Sequence, residues 1–257
     1  MDLGIRGRVA LVLASTGGLG AAVARALGEE GAHVVVTGRD AEKAEKLAAE
    51  LPSAVAVPVD LAEPGAPERL LDATRTAFGE PDIVVLNGPG PKPGSASDLD
   101  AGAVGAATDQ LLAGHVALVH RALGHMRDQG WGRILAVGSS GVEAPLPMLA
   151  ASNVGRAALA AYLKTLAGEV AGAGVTVNML LPGRIATDRV AALDAAAADR
   201  QGRGVDEVRA DSQARIPTGR YGDPDEFGAV AAFLCSTRAS YVTGSLVRCD
   251  GGLLGNL

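Results

Sequence analysis

Aromatic residues are scarce. One Trp, three Tyr and three Phe make up 3% of the 257 residues, so Ala, Val and Leu must build the core. No basic cluster with interleaved aromatics occurs, and the formal net charge is -6. Nucleic acid is therefore not an expected partner. The charges are dispersed, as on a solvated surface. Cysteine is nearly absent. Cys235 and Cys249 belong to no CxxC pair and read as inert reduced thiols, and no metal site is expected. Long apolar runs are missing too. The opening "MDLGIRGRVALVLAS" carries an early Arg pair, but its apolar run is short and ends in a Gly-rich turn. It reads neither as a secretory signal nor as a membrane span, and the expectation is a cytoplasmic protein with no membrane partner.

What is present is a rhythm. Hydrophobic residues make up 48% of the chain, ample for one sizeable core; length alone would permit one or two domains. Apolar runs at 8–14, 33–38, 54–60, 82–87, 132–139 and 174–182 read as buried strands. Helical patterns lie between them, including "DAEKAEKLAAEL" with Asp40 as N-cap and segments near 66–79, 100–129 and 149–173. Such alternation implies an α/β fold, a parallel sheet covered on both faces. No linker or repeat appears. Two segments break the rhythm: the Pro/Gly-rich loop "NGPGPKPGSASD" (87–98) and a long helical insertion at about 187–217. Ligands bind at the carboxyl ends of parallel strands. The insertion reads either as a lid or as a surface helix pair.

"LASTGGLGAAVARAL" follows the first strand and opens a helix. Gly17, Gly18 and Gly20 would let backbone N–H groups approach a pyrophosphate, which a helix N-terminus also favours. The bland alternative is a tight turn. At the end of the second strand an acidic residue would select NAD(H) through the ribose 2′-hydroxyl. Thr37, Gly38 and Arg39 stand there instead. A guanidinium suits a 2′-phosphate, which favours NADP(H) over NAD(H). The alternative is a plain surface arginine.

With the turn, "VD" at Val59–Asp60, "GR" at Gly132–Arg133, Ser139, "VTVNMLLPGRIAT" (175–187), "GRYGDPDE" (219–226) and "SYVTGSLVRCDGG" (240–252), nearly the whole chain resembles the short-chain dehydrogenase/reductase family, most of all its 3-oxoacyl-ACP-reductase-like branch. The resemblance implies a single-domain Rossmann fold with a seven-stranded parallel sheet, usually assembled as a homotetramer or homodimer. It implies cofactor contacts from Ser15, Thr16, Gly17, Gly18, Leu19, Gly20, Arg39, Asp60, Leu61, Asn87, Gly88, Pro182, Gly183, Ile185 and Thr187. Within that set Asp60 would meet the adenine, Asn87 would lie beside the ribose, and the last four would hold the nicotinamide end.

The departures are informative. The usual Thr-Gly pair that opens the turn reads Leu13–Ala14, and the usual Asn-Asn-Ala-Gly reads "LNGP" (86–89). The family pairs an Asn on its fourth helix with a Ser after the fifth strand and with Tyr-x-x-x-Lys. Leu111 stands at the Asn position, and Ser139 keeps the Ser. Ser152 and Arg156 fill the Tyr and Lys positions. The i, i+4 spacing still puts both on one helix face. A Ser hydroxyl is a far poorer acid than a phenol of pKa ~10. Arg stays charged and cannot relay a proton, and losing a general acid costs roughly 10²–10⁴ in rate. Ser139, Ser152 and Arg156 remain the catalytic candidates. His115, one turn beyond Leu111, either faces the cleft or is a buried or surface histidine. Arg184 meets an anionic substrate group or forms a salt bridge. Glu143 is a desolvated acid/base or a loop carboxylate. Tyr162 points off the Ser152 face.

Three readings follow. One is an NADP(H)-dependent carbonyl reductase or alcohol dehydrogenase acting on a small molecule with a non-standard proton path. Another is non-redox chemistry in the same cleft: elimination, isomerisation or cyclisation. The last is a non-catalytic cofactor- or ligand-binding homologue.

Overall fold

The computed structural model describes residues 1–256. Seven parallel strands form one sheet in the order β3-β2-β1-β4-β5-β6-β7. They are β1 (Val9–Val12), β2 (His33–Gly38), β3 (Ala54–Pro58), β4 (Ile83–Leu86), β5 (Gly132–Val137), β6 (Val175–Pro182) and β7 (Leu246–Cys249). The four central strands are near-continuous Val, Ile, Leu and Ala because both their faces are covered. Register pairs Val9–Val12 with His33–Val36 and Ala10–Val12 with Ile83–Val85. The chain reverses direction across the sheet between β1 and β4. Their carboxyl ends therefore flank the crevice where such sheets take ligands.

Alternate side chains feed two apolar layers. Leu11, Val84, Leu86 and Ile134 face α3 (Ala66–Phe78), α5 (Gly114–Asp128) and α6 (Ala150–Val170). Val12, Val34, Val85 and Leu135 face α1 (Gly18–Glu29), α2 (Ala41–Glu50) and α9 (Pro224–Leu234). Small residues substitute for aromatic bulk by close approach. A Cβ at Gly228 of α9 would stand 2.7 Å from the Ala22 carbonyl of α1. Asp40 caps α2 as expected, accepting from Lys43 N at 3.1 Å.

β2 matches its apolar run at 33–38, and the other strands are shorter than theirs because flanking residues enter turns. The segment 100–129 is not one helix. It divides into α4 (Ala101–Thr108), a π-helical turn (Asp109–Ala113) and α5. The 187–217 segment forms α7 (Asp188–Gln201) and α8 (Val205–Ala214).

The amino end of the sheet is tied by charge. Arg8 donates to Asp82 at 3.0 Å, and Val9 N donates to the same carboxylate at 2.9 Å. Trp131 lies between two guanidiniums, 4.1 Å from Arg8 and 4.3 Å from Arg133. Arg133 is buried, donates to the Ser236 carbonyl at 2.9 Å, and has its pKa pulled down to about 10 by desolvation.

Candidate active site

The Gly-rich turn hangs from the end of β1. Ser15 is fully buried; its Oγ donates to the Val12 carbonyl at 2.8 Å and accepts from Thr37 N at 2.9 Å. Its side chain thus binds β1 to β2, and its own N–H donates to the Thr37 carbonyl at 2.7 Å, so Ser15 braces the turn. Ala14 adopts a left-handed φ of 45°. Its N–H donates to Thr37 Oγ1 and its carbonyl accepts from Asn87 Nδ2, both at 3.1 Å. Asn87 is therefore first a strut between the end of β4 and the turn. A Cβ at Gly20 would lie 2.3 Å from the Ala14 carbonyl, so the turn closes onto α1 only without one. Gly17 has open space around its missing Cβ, and Gly18 takes φ +52° as α1 begins. Leu19 packs on the apolar layer behind. The result is bare backbone over a helix N-terminus, a cradle that fits a pyrophosphate.

The rim beside the turn fits the rest of a dinucleotide. A Cβ at Gly38 would fall 2.5 Å from Thr16 Cγ2, which puts Thr16 against the end of β2. Arg39 follows, exposed and without an acidic partner among the described residues. Asp60 accepts from Ala62 N at 3.0 Å, holding the turn that carries Leu61. Opposite, Gly183 N donates to the Cys249 carbonyl at 3.0 Å beyond Pro182. Ile185 is buried in a bridge with Gly222, and Thr187 caps α7 by accepting from Val190 N at 3.4 Å. The Thr187 methyl lies 3.7 Å from where a Gly18 Cβ would stand. The turn after β6 thus closes on the turn after β1.

The three catalytic candidates gather at the ends of β5 and α6. Ser139 Oγ accepts from Gly141 N at 3.1 Å, which leaves its own proton free to donate. The following loop is fixed by Asn153, whose Nδ2 donates to the Leu146 carbonyl at 2.9 Å. Ser152 is 9% exposed. Arg156 Nη1 donates to the Val137 carbonyl at 2.6 Å. Burial first, and Arg189 second, pull the Arg156 pKa down to about 10. The guanidinium thus stays charged at neutral pH. Leu111 sits in the π-helical turn, fully buried, with its Cδ1 2.8 Å from where a Gly155 Cβ would be. The glycine lets α6 lie directly on that turn. His115, one turn on, is buried with Nδ1 3.0 Å from the Leu111 carbonyl.

Three further sequence candidates prove to be engaged elsewhere. Arg184 donates to Asp194 at 3.2 Å and so is a salt-bridge arginine. Asp194, buried on α7, also accepts from Tyr221 OH at 2.8 Å. Glu143 is held by Arg248 of β7, whose Nε lies 2.5 Å away. Tyr162 packs against the apolar layer with its pKa raised by burial and then by Glu169. Sequence reasoning missed Arg189, which reaches the Pro91 carbonyl at 3.4 Å and whose charge bears on Arg156. Its one signal was its place two residues after Thr187. The 87–98 loop is pinned beside α6 by Gly94 N donating to the Met148 carbonyl at 2.8 Å. A recess of about 560 Å³ beside Arg8, Phe78 and Asp82 lies at the other end of the sheet and contains none of these residues.

Residues 13–254 match the sequence family described as Enoyl-(Acyl carrier protein) reductase. The chain is similar to dehydrogenase/reductase SDR family member 4 of Bos taurus, 34% identical over 97% of this chain and 88% of that protein. It is similar to 3-oxoacyl-(acyl-carrier-protein) reductase FabG of Aquifex aeolicus, 30% identical over 98% and 100%. L-sorbose reductase from Gluconobacter frateurii, solved with NADPH and L-sorbose, superposes with a TM-score of 0.93 at 30% identity over 100% of both chains. With the seven-stranded parallel sheet and the glycine turn at its crevice, these likenesses place the chain: it belongs to the short-chain dehydrogenase/reductase family of oxidoreductases.

Proposed function

We propose that this protein is an NADP(H)-dependent oxidoreductase that interconverts a small-molecule carbonyl and its alcohol with a non-standard catalytic set. The observation that carries the cofactor choice is Arg39, exposed beside Thr16 and Gly38 at the end of β2, while the next carboxylate, Asp40, is engaged as the N-cap of α2 and by Lys43. The NADPH in the sorbose reductase supports the same choice. Gly17, Gly18 and the N-terminus of α1 would hold the pyrophosphate, with Ser15 and Leu19 fixing the turn. Asp60, Leu61, Asn87 and Gly88 would line the adenosine side, and Pro182, Gly183, Ile185 and Thr187 the nicotinamide side. When bound, the nicotinamide supplies or accepts the hydride.

The chain's own residues position the carbonyl. Ser139 can present its hydroxyl proton to a carbonyl oxygen, because its Oγ accepts from Gly141 N and donates to no group in the protein. Arg156, charged and fixed on the Val137 carbonyl, favours negative charge developing on the substrate oxygen. Ser152 adds a second hydroxyl one turn away on the same helix face. Within this single domain, α7 and α8 form a lid over the 187–217 side of the cleft. The assembly is a homotetramer or homodimer, as the family resemblance implies.

A second reading, cofactor binding without turnover, is favoured by one observation: Ser152 and Arg156 bring no group that titrates near neutrality. One assay separates the two. The protein is titrated with NADPH and NADH by cofactor fluorescence, then assayed by absorbance with ketones, diketones and 3-oxoacyl thioesters. NADPH is expected to bind at least about tenfold more tightly, ~1.4 kcal/mol. Arg39→Asp should move the preference towards NADH, and an unmoved preference would remove Arg39 from phosphate recognition. Tight NADPH binding with no turnover across that panel would select the second reading.

A further inference from the structure

Two guanidiniums converge on the candidate site with no carboxylate between them. Arg156 is part-buried at the carboxyl end of β5, where Nη1 donates to the Val137 carbonyl. Its Nε and Nη2 find no acceptor in the protein. They are not sealed in, because among the described residues the enclosed side-chain atoms without a partner are Glu80 Oε2 and Trp131 Nε1. The free edge of the fork therefore opens on the crevice. Arg189 comes from the other side. It stands in the first turn of α7, after β6, yet its Nη2 reaches the Pro91 carbonyl at 3.4 Å in the loop after β4. A Cβ at Gly90 would lie 3.5 Å from the same nitrogen. In the sheet, β5 lies between β4 and β6. A side chain that leaves the segment after β6 and touches the loop after β4 must pass over the end of β5, where Ser139 and Arg156 stand.

The loop that Arg189 touches is itself fixed. Gln110 Nε2 donates to the Pro89 carbonyl at 2.8 Å, and Ala150 N donates to the Gly94 carbonyl at 3.3 Å. Like charges brought over one strand end repel, and a desolvated cation without a partner is costly. Carboxylates on the neighbouring segments do not relieve this. Asp194 is taken by Arg184 and Tyr221, Glu143 is taken by Arg248, and Asp188 is exposed at the start of α7. The phosphates of a dinucleotide have their own places, at the glycine turn after β1 and at Arg39 after β2. Arg156 and Arg189 lie two strands away from β1, at β5. Their missing counter-charge therefore belongs to the substrate, and an arginine fork matches the planar oxygens of a carboxylate.

We propose that the substrate is an oxo acid, its carboxylate received by Arg189 while its carbonyl lies over Ser139 and Arg156. This rests on the oxidoreductase reading above. In reduction the carbonyl carbon takes a hydride from a reduced nicotinamide nucleotide, and the carbonyl oxygen takes a proton that comes from water. The product is the hydroxy acid, and oxidation reverses both transfers. The carboxylate is unchanged by the step. Arg189 selects the substrate and holds its carbonyl at the end of β5.

The test sets short aliphatic oxo acids, with the carbonyl at successive distances from the carboxylate, against their methyl esters and a keto phosphate. For at least one acid, kcat/KM with NADPH should exceed that of its ester by about 10–150-fold, the worth of one hydrogen bond to a charged group. Arg189→Met should abolish this preference by raising KM for the acid, with NADPH affinity changed less than about threefold. Arg189→Lys should keep part of it, having the charge without the fork. Arg189 is exposed and α7 is anchored by Asp194, so these variants keep the fold. Calorimetry reads the same site without turnover: the hydroxy acid should bind at least about tenfold more tightly than its amide, and Arg189→Met should bind the two alike. Acids that are neither turned over better than their esters nor bound better than their amides overturn the proposal. So does a keto phosphate preferred over every acid, or an Arg189→Met protein that keeps the wild-type preference. An Arg189→Met protein that loses NADPH instead overturns it too, by assigning Arg189 to the cofactor. Wild-type protein that binds no NADPH, or turns over no carbonyl compound, overturns the oxidoreductase reading; the calorimetric comparison then still decides whether Arg189 receives a carboxylate.

Discussion

Ala14 holds a conformation that L-residues avoid. Its φ of 45° puts Cβ against the following carbonyl, at about 1–2 kcal/mol. Three contacts hold it there: Thr37 Oγ1 on its N–H, Asn87 on its carbonyl, and Gly20 beneath. Ala14→Gly removes the strain but gives the unfolded chain more freedom, an opposing ~0.5–1 kcal/mol. The net expectation is a gain of about 0.5–1 kcal/mol, read as a higher urea midpoint at unchanged slope. A lower midpoint would mean that the methyl group packs usefully. The sequence places Ala14 where relatives of this kind carry glycine; only the backbone reveals the sign of the effect. The same holds for Arg184 and Glu143. Their identities are visible in the chain, but their partners lie 10 and 105 residues away, at Asp194 and Arg248. Separations of that kind are set by packing and leave no local pattern.

Strands were legible as apolar runs. Those in the middle of the sheet are covered on both faces and admit few polar residues, and the edge strand β3 kept an apolar run although its residues are only partly buried. The division of 100–129 was not legible. A π-helical turn adds one residue to a helix without changing its composition, so periodicity reads straight through it. Yet it is a carbonyl of that turn, Leu111, that lies 3.0 Å from His115 Nδ1. The anchoring of α7 was equally hidden. One buried carboxylate, Asp194, ties this exposed Ala-rich helix to Arg184 after β6 and to Tyr221 before α9. Tyr221→Phe removes a hydrogen bond to a charged group, about 1.5–3 kcal/mol. Hydrogen exchange of α7 amides should accelerate while the β4 and β5 amides keep their protection. Equal acceleration in the sheet would show that α7 opens only with global unfolding.

Across the whole molecule, the two ends of the sheet do different work. The carboxyl ends carry the glycine turn, Ser139 and the turn after β6, where hydrogen bonds from Thr37, Asn87 and Gly141 shape the backbone. The amino ends carry Asp82, Arg133 and Trp131 in a tightly bonded base. Cys235 adjoins that base, fully buried, with its thiol pushed up to about 12 by desolvation. Native protein should leave Cys235 unmodified by a thiol reagent at pH 8, because neither access nor thiolate is available. Cys249, half-buried and also raised by burial, should react slowly. In urea, Cys235 labelling and Trp131 emission should change together if the domain unfolds in one step. Separate midpoints would reveal a partly open species. Trp131 is the only tryptophan in the chain, and it is clamped between two cations at the end of the sheet remote from the glycine turn. Its light therefore reports the integrity of the foundation and is a poor witness to events at the crevice, so a ligand must announce itself by its own fluorescence.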